Sequence, residues 1–239
     1  VQPAWDWRRI PGITCEQDED PLPLLNWGLG ARGRTRFAGS VSDGRYGVAA
    51  LDFDRDRVRA RKAWFFFDDG FVCLGSGIAG TGSHPVSTTL DQRLRRGAVV
   101  LPQGPLEAGR TEVPAPAWAW HDGVGYVVLD GSSLVVEAVG REGDWRDVNR
   151  RYDSERVSVP LFAAWLDHGA RPEDASYAYA VLPGLAPGAI PAVRVVANGP
   201  ALQAVHHDEL SVTGLAFHEP GRIEVDGDLS VEVDRPCVL

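Results

Sequence analysis

The sequence predicts an all-β protein, a large antiparallel two-sheet β-sandwich. Three observations carry that prediction. Short apolar or alternating runs recur at close intervals from Tyr46 onward. Between them fall turns whose glycines take positive φ cheaply: Asp68-Asp69-Gly70, Asp122-Gly123, Asp130-Gly131, Pro183-Gly184, Asn198-Gly199 and Asp226-Gly227. No segment sustains an i, i+3, i+4, i+7 apolar period, and the best short helical stretch is Asp144 to Arg151.

In chain order the first strand candidates are 46–53, 57–67, 71–78, 96–101, 116–121, 124–129 and 133–139. The second half adds 157–167, 176–182, 192–197, 202–207, 210–218, 221–225 and 229–233. That is too many strands for one immunoglobulin-sized unit, and no repeat of about 40 residues suggests a propeller. Residues 37–228 are therefore read as the central sandwich, 1–36 as an extended covering segment, and 229–239 as the start of a linker to a further β domain. The first 45 residues show little strand periodicity before Arg36 and are expected to cover the sheet, not to join it.

The stretch 57–67 changes character along its length. Arg57, Arg59 and Arg61 alternate with Val58 and Ala60, then Trp64, Phe65, Phe66 and Phe67 follow without a break. A sandwich strand normally has one face in water, so a strand apolar on both faces needs a second cover. Trp64, Phe66 and Val72 are expected between the sheets. Phe65 and Phe67 are expected on the opposite face, under the N-terminal segment, a separate domain or a loop of the same chain.

Composition excludes several function classes. Net charge is −9, with 24 basic and 33 acidic residues and no basic stripe to neutralise phosphates, so nucleic acid is not an expected partner. No apolar run approaches the roughly 20 residues that span a bilayer, so neither is a membrane. No signal peptide is present in the segment. Methionine is absent even at position 1, and the chain is read as a processed or excised piece. Cys15, Cys73 and Cys237 are too scattered for a disulfide framework or a zinc site. Glu16, Asp18, Glu19 and Asp20 offer oxygens of the kind calcium takes, but the twelve-residue calcium-loop pattern is missing and a solvated loop is the simpler reading. No cofactor or metal is expected.

Several stretches together resemble the polysaccharide lyases that include hyaluronate, chondroitin AC and xanthan lyases. They are WDWRRIPGITCE (5–16), FAGSVSDGRYGVAALDFD (37–54), KAWFFFDDGFVCLGSGI (62–78), STTLDQR (87–93) and GDWRDVN (143–149). LFAAWLDHGARPEDASYAYAVLP (161–183) and LQAVHHDELSVTGLAFHEPG (202–221) complete the series, in the family's order. The resemblance implies the central sandwich, of the supersandwich type, of a secreted enzyme that cleaves uronic-acid-containing glycans by β-elimination. It also implies an upstream α/α toroid and a C-terminal β domain in the same parent, with acidic polysaccharide as the substrate. The family's catalytic Asn, His, Tyr and Arg belong to the toroid, so no catalytic residue is assigned here. The alternative is a non-catalytic carbohydrate-binding or adhesive β-sandwich module, which the parent reading frame would distinguish by lacking a toroid.

The candidate substrate-binding residues are Asn26, Trp27, Arg32 and Arg34, in a glycine-rich loop before the sheet. An indole plane suits a sugar face, and guanidinium forks hold carboxylates or sulfates. His206 and His207, with Tyr177 and Tyr179 upstream, look like a catalytic set. Adjacent residues on a strand point to opposite faces, however, so structural roles are expected. His168 is expected to hydrogen-bond at a strand end, His84 and His121 to sit in turns, and Asp52, Asp54 and Asp56 to form a plain hairpin turn. No G-x-S-x-G motif supplies a serine nucleophile.

Overall fold

Alternation and turn chemistry resolve into antiparallel sheets, with 61% of the chain in strands and 3% in helix. The computed structural model describes residues 2–18, 33–149, 151–226 and 229–239. A five-stranded sheet runs, in spatial order, β1 (Thr14–Glu16), β6 (Pro85–Leu94), β13 (Arg156–Ala170), β12 (Leu134–Asp144) and β9 (Gly109–Val113). A nine-stranded sheet begins with β2 (Ala38–Ser42), β3 (Gly47–Arg55), β4 (Val58–Phe67) and β5 (Gly70–Gly80). It continues through β14 (Ala175–Pro183), β11 (Val124–Val128), β10 (Trp118–His121), β7 (Val99–Leu101) and β8 (Gly104–Leu106). A third sheet holds β15 (Val193–Asn198), β16 (Leu202–His207), β17 (Val212–Phe217) and β20 (Cys237–Val238). Finally β18 (Gly221–Asp226) pairs with β19 (Leu229–Val233).

The sheets stack in three layers. Leu90, Leu134, Phe162 and Leu166 of the five-stranded sheet meet Val58, Ala60, Ile78 and Tyr126 of the nine-stranded one. On the other face of the nine-stranded sheet, Ala63, Phe65, Val72 and Leu74 pack against Val205 and Ala216 of the third sheet. This explains the aromatic run in β4: Trp64 faces the first layer and Phe65, fully buried, faces the second. Phe65 is covered by the third sheet. Gly214 of β17 makes room for it, since a Cβ there would stand 2.6 Å from the Phe65 ring.

One expectation about this run fails: Phe66 is 42% exposed, not buried between sheets. Val72 is buried between sheets as expected, but it pairs directly with Phe65 across β4 and β5 and so lies in the second layer, not on the face of Trp64. The N-terminal segment also enters a sheet at one place, where Thr14, Cys15 and Glu16 pair with Thr88, Ser87 and Val86.

β6 has no counterpart among the sequence's strand candidates because its buried positions are polar. Ser87, Thr88, Thr89, Asp91 and Gln92 are all buried. Most find specific partners: Arg9 donates to the Ser87 hydroxyl at 3.2 Å, Thr14 and Thr88 share a hydrogen bond of 2.8 Å, and Tyr126 donates to Asp91. A polar strand survives burial only when such partners exist. The helical stretch is confined to α1 (Trp145–Val148), capped by the Asp144 carboxylate accepting from the Arg146 amide at 2.9 Å.

Candidate functional site

Of the proposed loop residues, Asn26, Trp27 and Arg32 lie outside the described residues. Arg34 is exposed, its amide donating to the Asp54 carbonyl at 3.1 Å and its guanidinium 3.7 Å from the Asp54 carboxylate. Beside it, the Thr35 hydroxyl donates to the Asp52 carbonyl at 2.5 Å, which holds this segment against the end of β3. The segment borders a groove of about 380 Å³ lined by Thr35, Asp52, Asp54, Arg59, Arg61 and Glu173. Its lining sets the carboxylates of Asp52, Asp54, Glu173 and Asp174 against the guanidiniums of Arg59 and Arg61, a polar surface suited to hydroxyls.

Asp52 is not a turn residue. It lies within β3, pairs with the Arg61 guanidinium at 2.5 Å and accepts from His218 Nδ1 at 2.6 Å. His218 Nε2 meets Gln203 Oε1 at 3.0 Å, and Gln203 Nε2 donates to Asn198 Oδ1 at 2.9 Å. Burial pulls the His218 pKa below the ordinary histidine value, and Asp52 works against that pull. This hub joins the central and third sheets beside the groove. Sequence reasoning missed it because the partners are distant and no local pattern marks His218.

The other histidines are structural. His206 and His207 point to opposite faces as expected: His206 meets the Thr213 hydroxyl at 2.8 Å, whereas His207 is buried against Phe67 and lies 3.4 Å from Asp69. His168 meets the Thr88 hydroxyl at 2.8 Å near the end of β13, and burial lowers its pKa to about 4. Tyr177 and Tyr179 are buried, which pushes their phenols well above the ordinary range and keeps them protonated. His121 corrects its expected turn placement: it ends β10, fully buried, stacked on Phe162 at 4.6 Å and accepting from the Arg96 amide.

Lys62 went unnoticed in the sequence. It is buried, donates to the Gly12 carbonyl at 2.6 Å, and burial lowers its pKa to about 8. Its role is to pin the N-terminal segment. Glu16 accepts from the His84 amide at 2.9 Å and lies 3.2 Å from Arg57, while Asp18 pairs with Arg8 and Arg57. These carboxylates are thus engaged by arginines. Among the described residues no group of three or more His, Cys, Asp or Glu is arranged to hold a metal ion.

Antiparallel sheets stacked in three layers, with a polar groove at the edge, define a large β-sandwich. Residues 1–193 match the super-sandwich domain of polysaccharide lyase family 8, and residues 194–239 match that family's C-terminal beta-sandwich domain. The chain belongs to polysaccharide lyase family 8. It is 38% identical to a chondroitinase-AC of Pedobacter heparinus, over 100% of this chain and 35% of that protein. A hyaluronate lyase of Thermasporomyces composti is 30% identical over 98% of this chain and 31% of its own length. Among solved structures, a chondroitinase AC lyase studied with oligosaccharides superposes with a TM-score of 0.92 at 39% identity, over 99% of this chain and 36% of that one. The chain therefore spans about a third of the length of the relatives it matches.

Proposed function

We propose that this chain is the central β-sandwich of a secreted lyase that cleaves uronic-acid-containing glycans of the hyaluronan, chondroitin or xanthan class. In that role it supports, and through the loop carrying Asn26, Trp27, Arg32 and Arg34 partly lines, the cleft of an α/α toroid in the same parent. The observation that carries the reading is the likeness to chondroitinase-AC along the whole chain, while two-thirds of that relative lies beyond the match. β-Elimination at a uronate needs a base for the C5 proton, an acid for the leaving oxygen and a neutraliser for the carboxylate, held together. His168 and His207 are instead engaged by Thr88 and Asp69, and Tyr177 and Tyr179 are buried. Their chemistry is structural, and the reaction belongs to the toroid.

Incubated alone with hyaluronan, chondroitin or xanthan, the 239-residue chain is expected to give no ultraviolet absorbance from a conjugated C4–C5 double bond. A reproducible rise abolished by His168→Ala would overturn the assignment of catalysis to the toroid. In the parent enzyme Arg34→Ala is expected to raise KM more than it lowers kcat, the pattern of a binding contact.

A further inference from the structure

The outer face of the five-stranded sheet carries a band of aromatic and cationic groups. Residues 3–9 lie across that face. Pro3 closes on Gly143, where an added Cβ would stand 1.8 Å from the Pro3 carbonyl oxygen. Gln92 donates to the Asp6 and Arg9 carbonyls at 3.0 Å each, and the Arg9 guanidinium lies 3.7 Å from the centre of the Trp165 ring. The cross-strand pairs Val157 with Gly143, Ala163 with Glu137 and Trp165 with Val135 set these groups on one face.

At one end of the band Trp5, Trp145, Glu155 and Val157 line a cleft of about 510 Å³. Tyr152 packs on Trp145 at 5.3 Å and is 55% exposed. The Trp5 indole N–H is buried and has no acceptor. At the other end Arg110, opposite Glu137, sets its guanidinium 4.9 Å from the centre of Trp165. Arg110 is exposed and pairs with no carboxylate among the described residues. A guanidinium held against an indole loses less freedom on binding and keeps its N–H edge for an oxyanion. Gly143 and Glu137 are separated along β12 by a distance of about 20 Å, at ~3.3 Å per residue. One sugar cannot bridge that span, and an oligosaccharide can.

We propose that this face is a second glycan-contact site, taking a pyranose ring in the Trp5–Trp145 cleft and a carboxylate or sulfate of the same chain on Arg110. The choice of an acidic glycan rests on the lyase reading above. The two are separable, because this face belongs to the five-stranded sheet whereas Arg34 is held at the end of β3 in the nine-stranded one. The test is an NMR titration of the 239-residue chain with chondroitin and hyaluronan hexasaccharides, following the tryptophan indole N–H signals. Those of Trp5 and Trp145 are expected to shift. Arg110→Glu, at an exposed position and with folding checked in the same spectra, is expected to weaken binding by about tenfold, and Arg110→Lys by less. The proposal fails if those two signals stay unmoved, if Arg110→Glu binds as tightly as the parent, or if a neutral cello-oligosaccharide shifts them equally. In each of these cases an Arg34→Ala defect in the parent enzyme would leave the lyase reading standing.

Discussion

The two inter-sheet layers are built differently. The layer between the five- and nine-stranded sheets holds large side chains, Phe162, Tyr126, Tyr177 and Tyr179, stitched by a polar ladder through Thr14, Thr88 and His168. The layer beneath the third sheet mixes alanines, Ala50, Ala63, Ala178, Ala180 and Ala216, with Val48, Val72, Leu74, Leu182 and Val205, and among the described residues Phe65 is its one fully buried aromatic ring. Small residues let two sheets approach closely, and a single ring then fills the space between them. The first layer spreads its stability over many contacts, whereas the second concentrates it at Phe65 and at the Asp52–His218–Gln203 hub.

The largest expected effect follows from that concentration. Phe65→Ala leaves a cavity that neighbouring alanines and Gly214 cannot fill by collapse, and is expected to cost about 3–5 kcal/mol in urea unfolding. The third sheet should loosen first, with amides of β16 and β17 losing hydrogen-exchange protection before those of β12 and β13. A loss spread evenly over all three sheets would break the comparison, because the two layers would then unfold as one.

Much of this was legible in the sequence, and what was not has physical causes. The run from Trp64 to Phe67 announces a strand buried on both faces. Which layer each side chain joins depends on pairing with β5, and the register that puts Val72 beside Phe65 is a non-local property. β6 hides because Thr88, Asp91 and Gln92 look solvated until their partners are known, and those partners lie on the N-terminal segment, Tyr126 and His168. The third sheet's strands are visible as runs, but nothing in a run says which sheet it joins. In the candidate site the loop's composition was legible. The Asp52 hub was not, since a short local pattern of acids reads as a turn whatever His218 does far along the chain.

A middle-sized effect separates the layers by pH. Burial against Thr88 and Tyr177 lowers the His168 pKa from the ordinary 6.5 to about 4, with Asp167 and Asp130 opposing the shift and Lys62 adding to it. The folded state therefore binds this proton less readily than the unfolded chain. The stabilisation is complete above pH 6.5 and drains away as pH falls toward 4. By about pH 5 the loss should reach about 2 kcal/mol. His168→Gln should remove much of that slope while keeping a hydrogen bond to Thr88. An unchanged slope in His168→Gln would transfer the acid sensitivity to another group, with His218 in the second layer the next to substitute.

The smallest effect is the sharpest control on the comparison. Phe66 neighbours Phe65 on β4 and shares its chemistry, yet it is 42% exposed and its ring contact is with Phe71 at 5.8 Å. Truncating a half-exposed ring removes little transfer free energy and opens no closed cavity, so Phe66→Ala is expected to cost less than about 1 kcal/mol in urea unfolding. Phe65→Ala is therefore expected to cost several times more, although composition alone cannot tell the two residues apart. Equal losses would mean that Phe66 is covered in solution and that β4 is enclosed along its whole length. A clear difference would show that the third sheet covers the Phe65 face while the Phe66 ring stays in water, in a strand whose aromatic run is continuous in sequence but divided in space.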